Sequence, residues 1–126
     1  MSYKTDFGRV LGLGSAKEGT GHFWTQRVTA VALIPILILA IWPLDAAIGS
    51  SWEEVRAIYA SPFNAIMLIL LIAVGFRHMQ LGLQVVIEDY VSNSGVRTAA
   101  LLANTLFCAL FGLIGVFAVA KIAFAG

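Results

Sequence analysis

The chain has 126 residues, a net charge of +1 and a mean hydropathy of +0.89, with 60% hydrophobic and only 12% charged residues. A soluble domain carries about 25% charged residues, so half that share cannot cover a globule in water, and an independent soluble enzyme is excluded. The near-neutral charge, with no Lys/Arg cluster, excludes nucleic-acid binding, and the single Cys108 excludes an intramolecular disulfide or a multi-cysteine metal site.

The expected fold is an all-α integral membrane protein with three transmembrane helices, a single membrane-anchor domain over 1–126. Residues 1–21 are glycine-rich and mixed in charge, and are expected to form a cytoplasmic tail. They resemble neither a secretory signal nor an Arg-rich transit peptide. The first span is predicted over 22–44, where V-T-A-V-A-L-I-P-I-L-I-L-A-I-W-P-L carries no charge after Arg27. The loop over 45–61 contains S-S-W-E-E-V-R-A-I-Y-A-S. Ser51 and Glu54 have capping-box spacing, and Trp52, Val55 and Tyr59 share a helical face. That predicts a short amphipathic helix in the outer interface, with its Trp and Tyr at headgroup depth. The second span, over 62–90, opens on Pro62 and ends at Glu88-Asp89-Tyr90; the third covers 98–120 and stops before Lys121. Each reaches the roughly 20 residues needed to cross the hydrocarbon core, and helices are expected because lipid offers unpaired backbone groups no partner.

Orientation follows from the basic residues. Lys4, Arg9, Lys17 and Arg27 precede or open the first span, Arg56 lies in the first loop, Arg97 in the second and Lys121 in the tail. Placing the N-terminus inside keeps five of these seven on the cytoplasmic side, so the expectation is a cytoplasmic N-terminus and a periplasmic C-terminus.

Ionisable residues within a span are costly and mark function by default. The second span places Arg77, His78, Gln80 and Gln84 in an otherwise apolar helix. A lone intramembrane histidine suits hydrogen-bonded packing, a proton relay, or metal or haem ligation. At 100° per residue, Leu71, Gly82, Val85 and Asp89 fall within about 40° of His78. Gly82, one turn on, leaves the helix flat beside the imidazole, as a bulky planar group or a close helix neighbour requires. His78 lies twelve residues before Tyr90, about 18 Å along the axis and near mid-membrane. Arg27 is expected roughly 10 Å from it in depth, where it can meet anionic haem propionates. His22 is expected to be too shallow for a second axial ligand, so a six-coordinate haem needs one from another chain. Tyr90 suits either an interfacial anchor or a hydrogen-bond donor to a quinone carbonyl, with Asp89 beside it tuning that donor. In the third span, Ala99/Ala103 and Cys108/Gly112 have small-residue spacing for close helix approach, and Asn104 is a candidate interhelical hydrogen bond.

The segment H-M-Q-L-G-L-Q-V-V-I-E-D-Y, His78 to Tyr90, resembles the second-helix signature of the small hydrophobic membrane anchor of succinate dehydrogenase (complex II), in its alphaproteobacterial and mitochondrial form. That signature has a glycine four residues after the histidine and an Asp-Tyr pair beginning eleven residues after it. G-H-F-W-T-Q-R-V-T-A-V-A-L, Gly21 to Leu33, is similar to that subunit's approach to its first helix. The resemblance implies that His78 is an axial ligand of haem b iron, Arg27 a propionate contact and Gly82 a haem-packing position. It implies that Tyr90 and Asp89 belong to a ubiquinone site. The implied partners are the cytochrome b556 anchor subunit, which supplies the second histidine, the iron–sulfur subunit and the flavoprotein subunit. The chain itself would be non-catalytic, with neither flavin nor clusters, in a bacterial inner membrane. Arg77 has no counterpart in the signature and suits pairing with a propionate or with a partner's acidic residue. Two alternatives remain open from the sequence: the anchor of a fumarate reductase, and a non-redox scaffold or transporter subunit.

Overall fold

The computed structural model describes residues 16–124, all organised by four helices: α1 (Ala16–Ala47), α2 (Trp52–Tyr59), α3 (Pro62–Tyr90) and α4 (Ser94–Phe124). Most of the expected tail, including Lys4 and Arg9, lies outside the described residues. α1, α3 and α4 are long and apolar enough to cross a membrane, which makes the chain a multi-pass membrane protein. Their 32, 29 and 31 residues correspond to roughly 48, 44 and 46 Å, well beyond a hydrocarbon core of about 30 Å. α1 begins six residues before the span expected from hydropathy, running through Ala16 to Gly21 despite two glycines there.

The connections are short and chemically specified. α1 runs through Pro35 and Pro43, which a span tolerates when neighbours re-satisfy the freed carbonyls. Gly49 then turns the chain at φ 78°, a conformation that glycine adopts without a Cβ clash. Ser51 caps α2: its backbone N–H donates to Glu54 Oε2 at 2.7 Å, and the Glu54 N–H donates to Ser51 Oγ at 3.4 Å. Pro62 opens α3 where its missing N–H is an orphan anyway, and Asn64 Nδ2 ties that end to the Ile58 carbonyl at 2.9 Å. Asn93 caps α4 by accepting from the Val96 N–H at 3.0 Å.

α3 is the central helix. It packs against α1 on one flank and α4 on the other, while α1 and α4 do not meet; α2 touches all three at the end where α1 connects to α3. Small and polar residues set the α3–α4 contact. A Cβ on Gly112 would lie 3.3 Å from Phe76 Cβ, and one on Gly115 would lie 3.0 Å from Ile72 Cγ2. Cys108 and Gly112 are buried as their spacing suggests, whereas Ala99 and Ala103 are exposed. Asn104 Nδ2 donates to the Gln80 carbonyl across the two helices at 2.9 Å. Tyr59 turns into the bundle, 3% exposed, because α2 lies against all three long helices.

Candidate functional site

His78, in the middle of α3, faces α1. Its Nδ1 lies 3.0 Å from Thr29 Oγ1, a contact between residues 49 apart in sequence. Below it, His22, Phe23, Gln26, Arg27 and Ala30 of α1 and Val85 of α3 join His78 around a groove of about 370 Å³. His22, Gln26 and Ala30 repeat at four-residue intervals, as do Phe23 and Arg27, so two adjacent rows of α1 form one wall.

This helix register changes the depths expected from sequence. With Thr29 level with His78, Arg27 is only two residues from that level, about 3 Å along the axis. His22 is seven residues away, about 10 Å. Arg27 therefore sits well inside the helical bundle's length, eleven residues past Ala16. Its guanidinium carbon lies 5.0 Å from the Phe23 ring centroid, a cation–π contact between neighbouring turns of α1. His22, left without a role by spacing alone, lies in the same groove as His78. His22 Nε2 and Gln26 Oε1 are buried with no hydrogen-bond partner. Such orphaned atoms call for a partner, and here both border one groove. Gly82 faces Gln26, whose Nε2 lies 3.6 Å from the position a Cβ would take. The relief beside Gly82 thus admits the Gln26 side chain. Among the described residues no group of three or more His, Cys, Asp or Glu could hold a metal ion, and the groove itself offers two imidazoles, His22 and His78.

Arg77 lies on the other flank of α3. It borders an apolar groove of about 350 Å³ between α3 and α4, with Gln80, Thr105 and Cys108. The guanidinium donates to Gln80 Oε1. Gln80 Nε2 approaches both Gln84 Oε1 and Thr105 Oγ1 at 3.5 Å, and Gln84 Nε2 donates to Glu88 Oε1 at 2.9 Å. The polar residues of the second span therefore divide by flank: His78 toward α1, and Arg77 with its glutamines toward α4.

Tyr90 and Asp89 end α3, twelve and eleven residues from His78. Tyr90 is 82% exposed and borders neither groove, so on this chain alone it is separated from His78 by about 18 Å of helix. Thr29 was invisible as a site residue. A threonine in an apolar span, with Thr25 one turn before it, was the signal available, but only the packing of α1 on α3 directs it to the imidazole.

The succinate dehydrogenase/fumarate reductase transmembrane subunit family matches residues 1–117 of the chain. A succinate dehydrogenase hydrophobic membrane anchor subunit of Paracoccus denitrificans is 38% identical over 107 residues, covering 85% of this chain and 82% of its own. One from Rickettsia bellii is 32% identical over 111 residues, covering 86% of each. A succinate dehydrogenase membrane anchor subunit of Reclinomonas americana is 26% identical over 96 residues, covering 74% and 80%. No solved structure matches at the stringency these relatives meet.

Proposed function

The chain belongs to the succinate dehydrogenase hydrophobic membrane anchor subunits, and from that membership we propose that it holds one side of a haem b between α1 and α3 and contributes to a ubiquinone site at the end of α3. The observation carrying this reading is the common groove of His78, Arg27 and His22. Its residues fit the group: an imidazole for the iron, a guanidinium for the propionates, and two orphaned polar atoms that the chain alone leaves unsatisfied. A volume of about 370 Å³ is near the low end for small-molecule sites, as suits half of a site completed by a partner's helices.

In this reading His78 would hold the haem iron from this chain, together with a histidine of the cytochrome b556 anchor subunit. Arg27 would offset propionate charge, and Gly82 would leave α3 without a side chain on the side that Gln26 now faces. A haem b supplies one-electron storage at this position. Tyr90 donates its phenolic proton in a hydrogen bond to a ubiquinone carbonyl, and its exposure on this chain leaves it free to face a pocket completed by other subunits. Asp89 beside it sets the local charge. The iron–sulfur and flavoprotein subunits dock on the cytoplasmic side, at the α1 start and α3 end, which fits a cytoplasmic N-terminus and a periplasmic C-terminus. The membrane is the bacterial inner membrane.

An optical spectrum of the purified complex tests the haem reading. The wild type is expected to show low-spin b-type bands that His78→Ala abolishes while the subunits stay together; a wild-type complex without those bands contradicts it. For the quinone reading, Tyr90→Phe is expected to lower ubiquinone reduction while succinate oxidation by a soluble artificial acceptor persists. Equal loss of both activities contradicts it.

A further inference from the structure

Thr29 makes three close polar contacts through one oxygen. Its Oγ1 lies 2.8 Å from the Thr25 carbonyl, 3.0 Å from the Gln26 carbonyl and 3.0 Å from His78 Nδ1. A hydroxyl has one proton to donate. Were that proton directed at Nδ1, the hydroxyl lone pairs would face two carbonyl oxygens at hydrogen-bonding distance with nothing between them. Donation toward the carbonyls removes that repulsion and leaves Oγ1 an acceptor on the side of the ring. Nδ1 must then carry the imidazole proton, and Nε2 carries the lone pair.

We propose that Thr29 is the positioning residue of the haem ligand, its hydroxyl accepting from His78 Nδ1–H and so holding the ring in the tautomer whose Nε2 can bind iron. The assignment rests on the haem reading above and adds to it a residue outside the His78–Tyr90 signature. A partner on the distal ring nitrogen fixes ring orientation and raises ligand basicity. A more basic ligand favours ferric over ferrous iron and lowers the midpoint potential. The β-branched side chain has restricted rotamer freedom within a helix, so the acceptor stays in place. The anchoring carbonyls belong to α1, as do His22 and Gln26, which ties ligand orientation to the packing of α1 on α3.

The test uses the assembled complex with Thr29→Val, which keeps the branched shape and removes the hydroxyl, and Thr29→Ser, which keeps the hydroxyl. Haem is followed by potentiometric titration of its optical bands and by low-temperature electron paramagnetic resonance of the ferric form. Thr29→Val is expected to shift the midpoint to more positive values and to change the low-spin g values, with Thr29→Ser close to wild type. Haem loss from a Thr29→Val complex that retains its subunits, restored in Thr29→Ser, carries the same meaning. If Thr29→Val does not assemble, Thr29→Ala gives the same reading without the bulk. A hydroxyl-free variant with wild-type potential and g values overturns the role of Thr29. A wild-type complex without haem overturns the haem reading instead, so the two failures are distinguishable.

Discussion

Asn104 on α4 donates its side-chain amide to the backbone carbonyl of Gln80 on α3 at 2.9 Å, and both residues are buried. The carbonyl already belongs to a helical ladder, so the amide takes its second lone pair. Interhelical hydrogen bonds within membranes contribute about 0.6 kcal/mol on average and up to about 2 kcal/mol. Asn104→Ala is therefore expected to destabilise the bundle by about 1 kcal/mol, read as earlier thermal loss of the complex. The same change also removes the acceptor of Cys108 Sγ, which lies 3.5 Å from Asn104 Oδ1.

Gly115 has less space than any other α4 glycine. The 3.0 Å between its notional Cβ and Ile72 Cγ2 is shorter than a side chain tolerates without displacement. Gly115→Ala is expected to force α3 and α4 apart, at a cost of about 1–3 kcal/mol, typical of overpacking. The double change with Ile72→Val should recover part of that loss in the same thermal measurement, since it trims the opposing side chain.

Tyr59 buries its hydroxyl without a hydrogen-bond partner, and burial pushes its pKa above the ordinary 10.0. An unsatisfied buried polar group costs about 1–3 kcal/mol. Tyr59→Phe removes the unsatisfied oxygen and keeps the ring, so it should raise thermal stability.

The α2 cap is acid-sensitive. The Ser51 backbone N–H, followed by its hydroxyl, holds the Glu54 carboxyl below its ordinary value of 4.5. A depressed folded-state value means that the cap's charge-dependent contribution is fully present above about 4.5 and is lost as pH falls through the lowered value. Protection of the Glu54 and Val55 amides against exchange, relative to their intrinsic rates at each pH, is expected to fall below that point, and Ser51→Ala should show the lower protection already at neutral pH.

The two arginines of the spans should separate by flank. Arg27 borders the His78 groove, and Arg77 borders the α3–α4 groove. Arg27→Gln is expected to lower the haem content of the purified complex, whereas Arg77→Gln should leave the haem-to-protein ratio at the wild-type level. Equal haem loss in both would contradict the division.

Properties local to the chain were legible in the sequence. Three apolar stretches between charged or turn-forming residues specify three long helices, and the Ser51–Glu54 spacing specifies the cap that forms. Asn104, a lone amide in an apolar span, was recognisable as an interhelical donor. Properties that depend on how one helix rotates against another were not. The Thr29–His78 contact, the return of His22 to the groove and the inward turn of Tyr59 all follow from long-range packing. Depth was misjudged for a related reason. Hydropathy marks where apolar residues start, whereas the level of Arg27 relative to His78 is set by the register that puts Thr29 beside the imidazole.

The central position of α3 also bears on the order in which the molecule is made. α1 and α4 share no surface, so α1 entering the bilayer first has no long helix of its own chain to lean on until α3 follows. Its two prolines and its arginine must be tolerated alone for that interval. α4 arrives last, onto a pair already formed, joined to α3 by a connection of three residues, 91–93. Biogenesis thus has a vulnerable stage before the second span inserts, and there a chaperone or an early-arriving partner helix would have the most to protect.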